Sequence, residues 1–185
     1  RYLKNTLLLM GGVGALSLIL GIVSAWMVAR FRFPGVTIIE WSLLLPATIP
    51  AYIIAYTYTD LLEFAGPVQG LIRDYFGWTQ AGEYWFPEIR SLGGAIFVMS
   101  FVLYPYIYLM TKTALRLTSP SYIELARLSK PLSAVWVDLY LARPAIIAGL
   151  ALVLMEVLSD FGTVEYFTVE TITLGIFNIW LGMNN

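Results

Sequence analysis

Charged residues fall along this chain in clumps, separated by long stretches that carry none. Between Asn5 and Ala29 there is no charge at all, and about 20 apolar residues rising about 1.5 Å each cross a hydrocarbon layer of about 30 Å. A first membrane span is predicted over residues 5–29. The run is too long for the apolar core of a secretion signal, which takes about 7–15 residues. Its Gly11, Gly12, Gly14 and Gly21, with Ala15, Ser17, Ser24 and Ala25, would weaken a helix in water but let a neighbouring helix approach closely in lipid. Arg30, Arg32 and Pro34-Gly35 end the run and turn the chain.

A second uncharged run covers residues 41–59 and holds Pro46 and Pro50. Each proline removes a ladder donor and crowds the preceding turn, so this span kinks or breaks. Lipid tolerates such a break only where protein or water satisfies the freed carbonyls. Both a kinked packing helix and a bent helix lining a pathway meet that condition. A third span is predicted over residues 91–111, carrying Pro105, and a fourth over 144–159, opened by Pro144 and interrupted near its end by Glu156 and Asp160. The last apolar run, 171–185, is short and contains glycine, so it reads as a re-entrant or interfacial segment. The fold class is all-α: a polytopic helical membrane protein.

Composition narrows the function. Of 185 residues 59% are hydrophobic and 12% charged, with 11 basic against 12 acidic, and the mean hydropathy is +0.76. An ordinary soluble domain is about 45–50% apolar and about 25% charged, so much of this surface faces lipid. The balanced charge shows no nucleic-acid footprint. Neither cysteine nor histidine occurs, which removes thiol nucleophiles, the usual zinc ligands and every Ser-His or Cys-His catalytic pair. An intramembrane aspartate protease would need two Asp residues within spans, and only Asp160 lies near one. No enzyme, and no bound cofactor, is expected of this chain. Arg1 and the apolar end at Asn185 interrupt the pattern, so a piece of a longer membrane protein is expected.

The loops differ in kind. Residues 60–90 hold Asp60, Glu63, Asp74, Glu83 and Glu88 against Arg73 and Arg90, an extramembrane loop with a short interfacial helix expected at Val68 to Phe76. Its Trp78, Tyr84, Trp85 and Phe86 suit an aromatic belt at the lipid–water boundary. Arg30, Arg32, Lys112, Arg116, Arg127, Lys130 and Arg143 collect on one side and Arg1, Lys4, Arg73 and Arg90 on the other. The positive-inside tendency then puts the 112–143 loop in the cytoplasm and the acidic loop outside. Glu40, at the cytoplasmic start of the second span, is expected in the interface or paired with Arg30 or Arg32.

Two constellations carry chemistry. In the cytoplasmic loop, Thr118 or Ser119 can cap a short amphipathic helix with Pro120 at its first position and Glu124 in its early turns. Glu124 and Arg127 then pair three apart, and Ile123, Ala126 and Leu128 press on the bundle or on a partner; a solvated connecting helix has the same pattern. Glu156 and Asp160 lie four apart, hence on one helix face. Ionised carboxylates in lipid cost about 2.5–3.5 kcal/mol on insertion scales, so the pair faces the bundle interior or an aqueous mouth. It either offers oxygen ligands to a hard cation in transit or hydrogen-bonds backbone to hold the irregular Phe161-Gly162-Thr163 turn.

Glu124-Leu125-Ala126 after Ser119-Pro120-Ser121, followed by Leu141-Ala142-Arg143-Pro144-Ala145-Ile146, resembles the Glu-Ala-Ala coupling loop of permease subunits of binding-protein-dependent ABC importers. Glu156-Val157-Leu158-Ser159-Asp160-Phe161-Gly162-Thr163, with Leu45-Pro46-Ala47-Thr48-Ile49-Pro50-Ala51-Tyr52 and Thr173-Leu174-Gly175-Ile176-Phe177, is similar to the ferric-iron permeases of that group, and the likeness runs through nearly the whole chain. It implies a MetI-like permease bundle, the first half of a fused two-half permease in a bacterial inner membrane. It also implies a coupling loop of Ser119, Pro120, Glu124, Ala126, Arg127 and Arg143 docked on a cytoplasmic ATP-binding subunit. An external substrate-binding protein, the second permease half and membrane lipid are the other implied partners, and ATP belongs to the partner subunit. Glu156, Asp160, Phe161, Gly162, Pro46 and Pro50 are the candidate pathway residues, with Glu156 and Asp160 as a transient cation path and no firm metal site.

The loop departs from the family pattern. The family has a Gly four residues after the second Ala and a Leu-Pro pair before Leu-Ala-Arg-Pro; this chain has neither and is a few residues shorter there. The turn between the two coupling helices thus lacks an easy φ > 0 position. Related permeases handle thiamine, polyamines, sulfate or other small oxyanions, and these substrates stay open. So does a second class, an ATP-independent channel or secondary transporter, which would share the kinked helices and acidic mouth. No Gly-x-x-x-x-Gly-Lys-Ser/Thr loop occurs, so ATP would act through a partner.

Overall fold

The computed structural model describes residues 1–119 and 133–183. Their order is α1 (Tyr2–Arg30), α2 (Val36–Ser42), a 3-10 turn (Leu45–Thr48), α3 (Ala51–Leu62), α4 (Pro67–Phe76), a 3-10 turn (Ala81–Glu83), α5 (Leu92–Leu117), α6 (Ser133–Ser159), α7 (Gly162–Tyr166) and α8 (Ile172–Met183). No strand occurs among the described residues. Three helices are long and apolar enough to cross a membrane, and the broken pair Val36–Thr48 with Ala51–Phe76 makes a fourth candidate span. The chain is a multi-pass helical membrane protein. Helices α1 and α6 show no one-sided apolar face, as expected of helices surrounded by lipid and other helices.

Helix ends depart from the predicted spans. Helix α5 runs on through Lys112 and Arg116 to Leu117, and α6 begins at Ser133 with Pro144 inside it. The expected 112–143 loop is therefore helical over much of its length. The physical reason is that a charge-free window marks what lipid can hold, whereas backbone hydrogen bonding continues past the charges. Proline at 105 and at 144 costs each helix one donor without ending it. In the second span the prolines do more. Pro46 sits in the 3-10 turn, and Pro50, with φ −54° and ψ 138°, starts α3, so the run is two pieces rather than one kinked helix.

Packing divides the chain into two compact units. One comprises Arg1–Val13, Ile49–Val102 and Glu156–Asn185. In it Thr6 Oγ1 accepts the Ile172 N–H at 3.0 Å at the start of α8, and Asn5 Nδ2 donates to the Glu170 carbonyl at 3.1 Å. Helix α3 packs on α7, where the Tyr56 and Tyr166 rings meet at 5.9 Å. The outer segment is held by buried Gln69, which donates to the Leu62 carbonyl at 2.7 Å and accepts from Tyr84 Oη at 2.6 Å. Trp78 stacks between Phe76 and Tyr84, at 4.6 and 5.1 Å.

The other unit comprises Gly14–Thr48 and Leu103–Met155. Its core sets Ala25 and Val28 against Tyr104 and Tyr108, with Leu20, Val36, Leu43 and Leu44 around them. Ile107 fits between two glycines. A Cβ on Gly21 would stand 2.8 Å from Ile107 Cβ, and one on Gly149 would stand 2.9 Å from Ile107 Cα. Gly35, at φ 88°, supplies the left-handed step before α2, a conformation that costs a residue bearing Cβ.

Candidate functional site

Among the coupling-loop residues, Pro120, Glu124, Ala126 and Arg127 lie outside the described residues. Ser119 follows the end of α5 and is exposed. Arg143 is exposed on α6, with its guanidinium 4.2 Å over the Tyr140 ring. The helices on either side of this connection both carry ion pairs.

Asp138, in the early turns of α6, is buried. Its Oδ1 accepts from Arg30 Nη2 at 2.6 Å, and its Oδ2 accepts from Arg30 Nε at 2.9 Å and from Trp26 Nε1 at 3.3 Å. The side chains of Arg30 and Asp138 are only 15% and 2% exposed. Trp26 and Arg30 are four apart at the end of α1, so one helix face presents both donors. On the leading side, Glu40 accepts from Lys112 Nζ at 2.9 Å through Oε1 and from Arg116 Nη2 at 2.8 Å through Oε2. Tyr108 Oη donates to the Glu40 carbonyl at 3.2 Å. Tyr108, Lys112 and Arg116 recur every four residues and form a stripe along α5 that holds α2.

The expected pairing of Glu40 with Arg30 or Arg32 is therefore corrected. Arg30 serves Asp138, and Glu40 takes the two cations of α5. Sequence neighbours suggested the wrong partner because α2 turns back onto a helix 72 positions later in the chain. The only sequence signal for the true arrangement was the spacing of Tyr108, Lys112 and Arg116 on one helix face.

The pathway candidates separate in another way. Glu156 lies on α6, while Asp160 falls just beyond the helix end at Ser159. Asp160 Oδ1 accepts the Thr163 N–H at 2.9 Å, in the first turn of α7. One oxygen of its carboxylate thus holds the Phe161-Gly162-Thr163 turn. Glu156 is half-buried, and among the described residues its carboxylate has no hydrogen-bond or ion-pair partner. Phe161 stacks on Phe177 at 4.7 Å. A Cβ on Gly162 would lie 3.9 Å from Tyr52 Cβ, an ordinary contact, so the packing of α7 on α3 does not require glycine here. Pro46 belongs to the other compact unit. Among the described residues no three His, Cys, Asp or Glu side chains gather as a metal site.

No protein-family model matches the chain. It is 27% identical to the Fe(3+)-transport system permease protein FbpB 2 of Haemophilus influenzae, over 99% of this chain and 32% of that protein. It is 27% identical to the sulfate transport system permease protein CysT of Salmonella typhimurium, over 80% of this chain and 51% of that protein. The Escherichia coli protein of the same description is 26% identical over the same shares. The chain thus spans about a third of the iron relative and about half of each sulfate relative. With apolar helices of membrane-spanning length, the chain is similar along its length to transport-system permease proteins.

Proposed function

We propose that this chain forms part of the transmembrane pathway of an ATP-driven ABC importer, with ferric iron as cargo. The observation that carries the reading is the similarity over 99% of the chain to an iron(III) permease, which agrees with the Glu156 to Thr163 and Leu45 to Tyr52 motifs. In this reading the connection between α5 and α6 docks on a cytoplasmic ATP-binding subunit, with Glu124 paired to a basic group there and Ala126 keeping the contact close. An external binding protein delivers the cargo to the acidic outer side, and a second permease half completes the path. Glu156 is the carboxylate with both oxygens available to a hard cation, whereas one oxygen of Asp160 is engaged by the Thr163 N–H.

The test is uptake by the complete permease in proteoliposomes, with its ATP-binding subunit and binding protein. ATP-dependent uptake of labelled iron(III), lowered by Glu124→Ala together with loss of ATPase co-purification, is the expected result. The similarity to two sulfate permeases favours sulfate as the second reading. Uptake of labelled sulfate and not of iron would select it. Uptake indifferent to ATP would overturn both.

A further inference from the structure

The ion pairs of the second unit share a feature that the coupling loop alone does not explain. Both stems of the α5–α6 connection are tied to one short stretch of chain, Arg30 to Glu40. The stem leading in, α5, is held by Lys112 and Arg116 on the two oxygens of Glu40. The stem leading out, α6, is held by Asp138, which accepts from Arg30 Nε and Nη2 and from the Trp26 indole. The charges are complementary: α5 presents the cations Lys112 and Arg116, α6 presents the Asp138 carboxylate, and Arg30 and Glu40 supply one partner of each sign.

Stability alone is a weak reason for such pairs. Taking two charges out of water costs about as much as their attraction returns, and well-packed apolar side chains often do as well. What a two-point guanidinium–carboxylate grip gives is fixed geometry. We infer that the Arg30–Glu40 segment is a brace: it positions the stems of the α5–α6 connection, so that displacement of the connection moves the helices instead of bending them at their ends. The inference rests on the coupling reading given under Proposed function. Arg30, Asp138, Glu40, Lys112 and Arg116 are positioning residues in it and touch neither cargo nor nucleotide.

The experiment uses the complete permease assembled with its ATP-binding subunit and binding protein in proteoliposomes. Cargo uptake and ATP hydrolysis are both measured per assembled complex. Asp138→Asn and Glu40→Gln keep the shape and remove the charge; Arg30→Lys keeps the charge and loses the two-point grip. Each is expected to raise ATP hydrolysed per cargo moved by about fivefold or more, the lower end of ordinary coupling between sites. The exchange Arg30→Asp with Asp138→Arg is expected to bring the ratio back toward wild type. Unchanged ratios would overturn the brace, as would a lower yield of complex with uptake and hydrolysis per complex at wild-type values, which is the mark of a merely structural role. A wild-type permease that assembles with no ATP-binding subunit and takes up cargo without ATP would instead overturn the coupling reading, and the brace with it.

Discussion

Replacing Gly149 by alanine tests a helix contact made directly against backbone in the second unit. A Cβ there would lie 2.9 Å from Ile107 Cα, 3.3 Å from its Cγ1 and 3.4 Å from its N. Carbon atoms rest at about 3.5–4.0 Å, so α6 must withdraw by about 0.6 Å to about 1 Å, a gap that forfeits a quarter to a half of the dispersion well for atoms along the seam. Because the obstacle is backbone, no rotamer change relieves it. Overpacking of this kind costs about 1–3 kcal/mol. Alanine also gains about 1 kcal/mol of helix propensity over glycine, which would mask part of the loss. The control is Gly11→Ala on α1, where nothing lies within 4 Å of the added Cβ. The propensity gain is common to both and cancels in the difference, leaving Gly149→Ala less stable than Gly11→Ala by about 1–3 kcal/mol. Reversible unfolding of the complete permease in detergent, followed by helix signal, reads that difference. Unfolding midpoints that coincide for the two variants would refute the backbone contact at Ile107.

The remaining predictions concern the outer segment and α7. Asp160→Ala should cost about 1 kcal/mol in the same unfolding assay as a lost helix-start acceptor, whereas Asp160→Asn, which keeps an acceptor for Thr163, should cost much less and leave uptake unchanged; a large uptake defect in the Asn variant would return Asp160 to the pathway. Gly94→Ala should prevent accumulation of folded protein, because the added Cβ would overlap the Ile89 carbonyl oxygen, which is backbone; normal yield with native unfolding would contradict this. The Glu83 carboxyl is held below the ordinary carboxylate range by the N–H groups of Gln80 and Thr79. A lowered folded-state value means its contribution is complete above the unfolded value of about 4.3 and fades as pH falls through the folded one. The emission of Trp78, isolated by difference against Trp78→Phe, should thus change on acidification below that point and lose this response in Glu83→Gln.

Much of the helical layout was legible because lipid imposes a simple rule: charge-free runs long enough to cross must be helices. Residues 5–29 lie within Tyr2–Arg30, and the short helix expected at Val68 to Phe76 is α4, Pro67–Phe76. The break at Pro46 and Pro50 followed from donors that proline lacks. Helix ends were less legible, since nothing in the charge pattern stops a helix at Lys112 or starts one at Pro144. Nor could the pattern grade the glycines of α1. Gly21 faces Ile107 and the Tyr104 carbonyl, Gly12 faces the flexible end of Ile96, and Gly11 faces open space. That order depends on which side of α1 each neighbour approaches, and a helix apolar all round gives no indication of it.

Charge partners were the part that sequence reasoning could frame but not solve. A chain this poor in charge cannot leave ionised groups against lipid, so each one near a span must be paired, capped or open to water. Sequence proximity suggested the partners, and proximity failed for Glu40, whose cations stand 72 and 76 positions away. Applied to the structure, the same accounting sorts the carboxylates by what they can still do. Asp138 and Glu40 have their oxygens committed to Arg30 and Trp26 and to Lys112 and Arg116, so they fix geometry. Asp160 is committed to the Thr163 N–H. Glu156 keeps its oxygens free among the described residues while half-buried on α6. Of these carboxylates it is the one with both oxygens open to a passing cation, whereas Asp160 already uses Oδ1 for the Thr163 N–H, and Glu156→Gln should lower uptake where Asp160→Asn does not. Equal uptake in the two variants would show that partner accounting does not locate the pathway.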